Sequence, residues 1–323
     1  MKSPVLPAAL MVAGFAVITA LVIYFGAAQV TRVLVSVRLP DFTLYVAAQL
    51  GITAGLGLCW RVLLRSRKRG NYWLCVWGRL VRDATGEFLP FSHVGGYVLG
   101  ARIVTLHGVN AVDAAASTFA DVTMEFLAEL LFIGIGLTIM AHLAPHSELL
   151  LPVTIGLSVA VPMALGLVLV QRGGSRYFRD LTLKIAGRAA SGAAQHIDRL
   201  QAALDDVYSR RGRLVQAAFY HLVCWFGTAT ASFIGFHALG VAISFGTAIA
   251  IEAILHAVMA LAFFVPGRFG IQEAAYTLLG SIFGIPPEIS LSLSLLRRAR
   301  DFIIAVPVLL FWQGVEARRL RFG

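Results

Sequence analysis

The chain has 323 residues, of which 58% are hydrophobic and 14% are charged, and its net charge is +10. A soluble domain does not need so much apolar residue, and several apolar runs reach the ~20 residues that a helix needs to cross a bilayer. The basic residues stand in short clusters beside these runs, which is typical of the cytoplasmic face of a membrane protein and argues against nucleic-acid binding.

The apolar runs predict an all-α polytopic membrane protein with about six full crossings. We place the crossings at about 8–30, 42–64, 116–141, 149–170, 214–238 and 290–312. Basic clusters follow the second, fourth and last of them. The positive-inside rule therefore predicts that both termini are cytoplasmic.

Two stretches interrupt otherwise apolar helical sequence with proline and glycine. Pro90 and Pro266 lie 176 positions apart (266 − 90), and the same offset aligns Gly108 with Gly284 and Glu125 with Asp301. We interpret the two stretches as re-entrant or broken helix pairs, since irregular backbone at membrane depth must be shielded by protein or by a water-filled cavity. The residues that would shape the breaks are Pro90, Gly95, Gly96, Pro266, Gly267 and Gly270.

The predicted topology makes the two broken pairs enter from opposite faces. The chain is then one integral membrane domain, 1–323, with inverted-topology repeats at about 38–141 and 214–317. Such repeats with broken helices typically indicate a transport site. The run 243–264 is apolar enough to cross fully, so a crossing and a re-entrant pair both stay open there.

The connection 172–213 is predicted to be cytoplasmic and amphipathic. Ile197, Leu200, Leu204 and Val207 follow helical spacing opposite a charged face. We expect a linker helix that rests on the anionic leaflet, or else a docking site for a partner such as a lipid-biosynthetic enzyme.

Acidic residues form a stripe on the third crossing. Asp121, Glu125 and Glu129 recur every four residues, and the corresponding part of the second repeat is basic around Arg297. Charged residues inside a membrane are rarely idle. In one interpretation the two sets neutralise each other and hold the halves together. In the other, arginines in slight excess bind a lipid phosphate, and the positive N-termini of the broken helices contribute to that binding. The predicted substrate site is Arg102, Asp121, Glu125, Arg268, Arg297, Arg300 and Asp301.

Glu252 and His256 form an i, i+4 pair in an apolar helix. The pair is either a hydrogen-bonded contact inside the bundle or part of a proton relay coupled to transport. His93, in the first broken segment, is a helix cap, a ligand contact or a third relay group. We expect no metal and no cofactor, because Cys59, Cys75 and Cys224 lack zinc-site spacing and no catalytic or nucleotide-binding motif occurs.

Several strings in the chain resemble a known family. They are Leu89–Gly96 with Gly100–Arg102, Ala116–Thr118, Phe264–Gly267, Gly270–Glu273 and Leu295–Arg300. The sequence is similar to the flippase-like family named for the membrane domain of lysylphosphatidylglycerol synthases, and most to its hopanoid-biosynthesis-associated branch. The resemblance implies a bacterial inner-membrane protein of lipid metabolism that translocates lipid and is not itself an enzyme. Arg268 departs from the small or apolar residue expected there in this branch.

Three functions follow as hypotheses. The first is a flippase-like protein that binds an amphiphilic membrane lipid between the repeats and moves its headgroup across the bilayer. The second is an integral-membrane lipid-modifying enzyme in which Glu252, His256 and His93 supply acid–base groups. The third is a non-transporting scaffold that holds lipid-biosynthetic enzymes through 172–213.

Overall fold

The protein is helical throughout the part of the chain that its structure, a computed structural model, describes. This part comprises 27–65, 71–88, 92–173, 191–262 and 268–322, together with Thr19 and Ile23. No strand occurs in these ranges. Their helices are α1 (Ala27–Val35), α2 (Leu39–Leu63), α3 (Tyr72–Phe88), α4 (Ser92–Leu106), α5 (Ala111–Leu143), α6 (Leu150–Gly173), α7 (Ser191–Ser209), α8 (Arg211–Ala238), α9 (Phe245–Leu261), α10 (Ile271–Ile282) and α11 (Pro287–Phe322).

Four of these helices are long and apolar enough to cross a membrane. They are α2, α5, α8 and the stretch Leu150–Gln171 of α6, which match four of the six predicted crossings. Most of the first predicted crossing lies outside the described residues. The last one falls within α11, which is long enough but contains Pro307 and charged residues near its centre. The all-α polytopic membrane fold is confirmed.

Both interrupted stretches form pairs of shorter helices. α3 packs against α4, and α9 packs against α10. The breaks at 89–91 and 263–267, with Pro90, Pro266 and Gly267, lie outside the described residues. In the first pair, a Cβ on Gly96 would come within 2.5 Å of the Arg82 carbonyl oxygen, so glycine allows the two backbones to approach closely.

The helices α2 to α5 recur as α8 to α11 with nearly the same spacing. α4 ends at Leu106 and α10 at Ile282, and α5 begins at Ala111 and α11 at Pro287, each pair 176 positions apart. Across the halves α2 packs against α8, α5 against α9 and α3 against α11. The contact of α5 with α9 and the contact of α3 with α11 are equivalent under a two-fold rotation that exchanges the halves. The orientation of the repeats relative to a membrane stays a prediction.

The connection between the halves contains the helix α7, which packs against the protein. Its apolar face, with Leu204, Val207 and Tyr208, is buried against Leu63 and Met124. The Tyr208 hydroxyl also donates to the side chain of Gln171 in α6. Leu204 and Val207 were expected to rest on the lipid leaflet, but the bundle itself covers them. Residues 174–190 lie outside the described part.

Candidate functional site

A cavity of about 500 Å³ lies between the two halves. Helices α2, α3, α5, α8, α9 and α11 all contribute to its wall. Part of the wall is apolar, with Leu56, Phe126, Leu167, Met259 and Ile304. The rest carries charged side chains from both halves. A cavity with an apolar part and a charged part suits an amphiphile, whose chain and headgroup need different surroundings.

The first half supplies most of one cluster of charged groups, and α8 of the second half adds His221. We call it the α3–α5 cluster: Arg79, Arg82, Asp121, Glu125 and His221. Arg82 donates from Nη1 to Asp121 Oδ2 at 2.9 Å and from Nη2 to Glu125 Oε2 at 2.6 Å. Arg79 donates to both oxygens of Glu125, with Nη1 at 3.1 Å from Oε2. His221 Nε2 lies 3.0 Å from Asp121 Oδ1. Both guanidinium groups are therefore bonded to acids of α5.

Because the cluster is buried, its side chains depend on one another to compensate their charges. Asp121 and His221 are fully buried, and Arg79 and Arg82 are almost so. Two charges removed from water are tolerable only when each finds a partner of opposite charge and its hydrogen bonds are satisfied. Removing one partner leaves the others buried and uncompensated. The cluster thus joins α3, α5 and α8 at the cavity wall.

The second half supplies the α9–α11 cluster: Ser232, Glu252, His256, Tyr276 and Arg297. Glu252 is fully buried and accepts hydrogen bonds from the Ser232 and Tyr276 hydroxyl groups and from Arg297 Nη1 at 3.0 Å. His256 Nε2 lies 3.8 Å from Glu252 Oε2, and His256 Nδ1 lies 3.5 Å from Glu129 Oε1. His256 therefore stands between a carboxylate on the cavity wall and one buried behind it.

The two clusters have opposite arrangements of charge. In the first half the arginines are on the broken helix α3 and the acids on the long helix α5. In the second half the acid is on α9 and the arginine on α11. Because α5 packs against α9, the carboxylates of these two helices and His256 lie close together. The arginines lie on α3 and α11, where Asp83, Glu87 and Asp301 accompany them.

The N-terminus of α10 is satisfied by its own residues. Gly270 has a φ of 80°, and its N–H donates to Glu273 Oε2 at 2.8 Å. Arg298 in turn pairs with the carboxylate of Glu273. The expectation that this helix end offers a free positive dipole to the cavity is therefore wrong, because a carboxylate already occupies it.

The structure brings six of the seven predicted substrate-site residues to the cavity or directly behind its wall. Arg300 bonds Asp301 with Nη2 at 2.8 Å from Oδ1 and stacks over the Tyr45 ring. Arg268 has a φ of 48° and a buried Nε without a hydrogen-bond partner. Arg102 lies elsewhere: its side chain is 48% exposed and pairs with Glu316. His93 was also predicted to belong to the proton relay, but its side chain lies outside the part of the chain that the structure describes.

The expected excess of arginines is reversed. Among the described residues, the wall residues and the charged residues that form ion pairs with them comprise five arginines and seven carboxylates, a balance of 5 − 7 = −2 with ionised carboxylates and neutral histidines. They are Arg79, Arg82, Arg268, Arg297 and Arg300, and Asp83, Glu87, Asp121, Glu125, Glu129, Glu252 and Asp301.

The acidic stripe of α5 shares the cavity with arginines of α11, but its ion pairs are formed elsewhere. Asp121 and Glu125 pair with Arg79 and Arg82 of α3. The sequence did indicate these partners, because α3 has charged residues at helical spacing within an otherwise apolar segment. His221 and Tyr276 had no such signal, because a lone polar residue in an apolar helix does not indicate its partner. No group of three metal-ligating side chains occurs among the described residues.

The family model for the lysylphosphatidylglycerol synthase TM region matches residues 11–308. The chain belongs to this family. Membership, together with the apolar helices, indicates a membrane protein of lipid metabolism that interacts with lipid. Neither the curated proteins nor the solved structures contained a match to this chain.

Proposed function

We propose that this family member binds an amphiphilic lipid in the cavity between its halves and moves the headgroup across the bilayer. The observation that supports the proposal most is the composition of the cavity wall, in which apolar residues adjoin charged groups from both repeats. An acyl chain fits the apolar part, and a phosphate fits arginine forks such as Arg297 and Arg300. The family's connection with lipid metabolism agrees with a lipid cargo.

The proposal assigns no covalent chemistry to the cavity, so the protein is not an enzyme in this scheme. Its location in a bacterial inner membrane with cytoplasmic termini, and the association with hopanoid lipids, are predictions from the charge distribution and the resemblance. Contacts of 172–213 with lipid-biosynthetic enzymes belong to the same proposal. Among the described residues of α7, Arg199 and Asp205 are exposed on its charged face, where such contacts would form.

Reconstitution tests the translocation directly. Vesicles containing the protein and an acyl-labelled fluorescent phosphatidylglycerol are treated with an impermeant quencher, and the rate of headgroup exposure is measured. We expect Glu125→Gln and Arg297→Ala to abolish protein-dependent transfer, whereas Arg102→Ala, which lies outside the cavity, retains it. Transfer at the wild-type rate in both cavity variants would refute the site. Wild-type vesicles that exchange lipid no faster than protein-free vesicles would refute translocation itself.

A further inference from the structure

With ionised carboxylates and neutral histidines, the cavity carries too much negative charge to bind a phosphate. The charged set defined above sums to −2 with neutral histidines. Protonation of both His221 and His256 would only bring it to zero. A lipid phosphodiester adds one negative charge, and an uncompensated charge in a partly buried site is strongly unfavourable. Anion binding therefore calls for a positive charge that enters with the anion.

We propose that a proton enters with the lipid phosphate and resides on Glu252, after passing from Glu129 through His256. This inference rests on the proposed function, because it uses the same cavity. It adds a proton as a second transported species and names its site.

The geometry provides a path of three groups. Glu129 lines the cavity, and His256 lines it with 8% of its surface exposed. The two nitrogens of the ring point to different carboxylates, Nδ1 to Glu129 and Nε2 to Glu252, at 3.5 and 3.8 Å. His256 Nε2 is buried without a hydrogen-bond partner. A shift of the side chains by less than 1 Å brings both contacts to hydrogen-bond distance.

Each step conserves the proton. A proton on the Glu129 carboxyl passes to His256 Nδ1, which breaks the O–H bond and forms an N–H bond. The proton on Nε2 then passes to Glu252 Oε2. Release of the lipid reverses the sequence. Imidazole suits this role because it accepts at one nitrogen while it donates at the other.

Protonation of Glu252 changes the state of Arg297. In the structure Arg297 is neutralised by Glu252, although its side chain reaches the cavity wall. Once Glu252 is neutral, the guanidinium lacks its counter-charge and can bind phosphate. Phosphate bound to Arg297 equally favours a proton on Glu252, since the coupling of two binding equilibria is reciprocal.

Other ionisable groups line the cavity that His256 reaches. Glu125 is bonded to two arginines, whereas Glu252 is bonded to one. Tyr276 donates to Glu252, and Cys224 lines the same cavity on α8. The edge contact with Trp225 holds the ring in place, with centroids 4.4 Å apart. His256 contacts Glu129 of α5, Trp225 of α8 and Glu252 of α9. The cavity that it lines also carries Glu125, Cys224 and Arg297, and Tyr276 of α10 bonds Glu252.

A binding measurement with a proton readout tests the inference. Purified protein in weakly buffered detergent with a pH-sensitive dye is titrated with short-chain dihexanoyl phosphatidylglycerol between pH 5 and pH 9. We expect uptake of about one proton per bound lipid, and an affinity that falls about tenfold per pH unit where Glu252 loses its proton. Glu252→Gln should bind without proton uptake and with little pH dependence. The control Glu148→Gln, an exposed loop residue, should behave as wild type.

The outcomes separate this inference from the proposed function. Wild-type binding without proton uptake would overturn the proton site and leave the lipid site intact. Proton uptake that persists in Glu252→Gln would overturn the assignment to Glu252. Absence of binding throughout this pH range would overturn both. If Glu252→Gln does not fold, the proton count and pH profile of the wild type still decide whether a proton enters.

Discussion

Gly108 and Gly284 close the same turn in the two halves of the protein, 176 positions apart. Their φ angles are 87° and 72°. The amide that follows Gly108 donates to the Val104 carbonyl at 3.2 Å, and the amide that follows Gly284 donates to the Gly280 carbonyl at 2.9 Å. Each turn ends a short helix and leads into a long helix, α5 or α11, that carries charged residues of the cavity region.

Replacement of Gly284 by alanine tests the strain of this turn. A Cβ there would meet no atom within 4 Å, so the cost comes only from the left-handed backbone. We expect Gly284→Ala to destabilise the protein by about 1 kcal/mol, seen as a lower melting temperature in detergent. Gly166→Ala is the control, since Gly166 lies within α6 and is equally uncrowded. Equal melting temperatures of the two variants would contradict the role of the turn.

The contact between α5 and α9 depends on Gly136. A Cβ at this position would lie 2.1 Å from the Cβ of Ala253, so the helices would have to separate. We expect Gly136→Ala to cost about 1–3 kcal/mol, the range for overpacking. Gly134→Ala should be nearly neutral, because its nearest neighbour would be Leu157 at 3.6 Å. Thermal unfolding of both variants measures the difference, and comparable losses would show that the interface is not close-packed.

The buried ion pairs of the α3–α5 cluster should be strongly coupled. A double-mutant cycle with Arg82→Gln and Asp121→Asn measures the energy that links the two side chains. We expect a coupling of about 1–3 kcal/mol, because each single variant removes one of the few partners of a buried charge.

The exposed pair Arg102 and Glu316 provides the matched control for this cycle. Its partners are 48% and 23% exposed, and such pairs contribute about 0.2–1 kcal/mol. The comparison uses Arg102→Gln and Glu316→Gln under the same conditions. A larger coupling for the exposed pair would mean that burial does not determine the strength of these contacts.

Lipids that co-purify with the protein should depend on the cavity arginines. We expect mass spectrometry to find an enriched lipid with the wild type that is lost from the Arg297→Ala, Arg300→Ala double variant. The control Arg102→Ala, Arg318→Ala removes the same charge outside the cavity and should retain the lipid. Bulk membrane lipid in all three samples would assign Arg297 and Arg300 a structural role.

The sequence by itself determined that the chain is a helical membrane protein, where its repeats correspond, and which acids lie on one face of α5. These properties depend on local composition and helical spacing, which a sequence displays directly. Only the tertiary structure decided which charges meet. Asp121 pairs with Arg82 and not with an arginine of α11, and Glu252 pairs with Arg297. The partner of a buried charge depends on which helices pack together, and spacing within one helix does not contain that information.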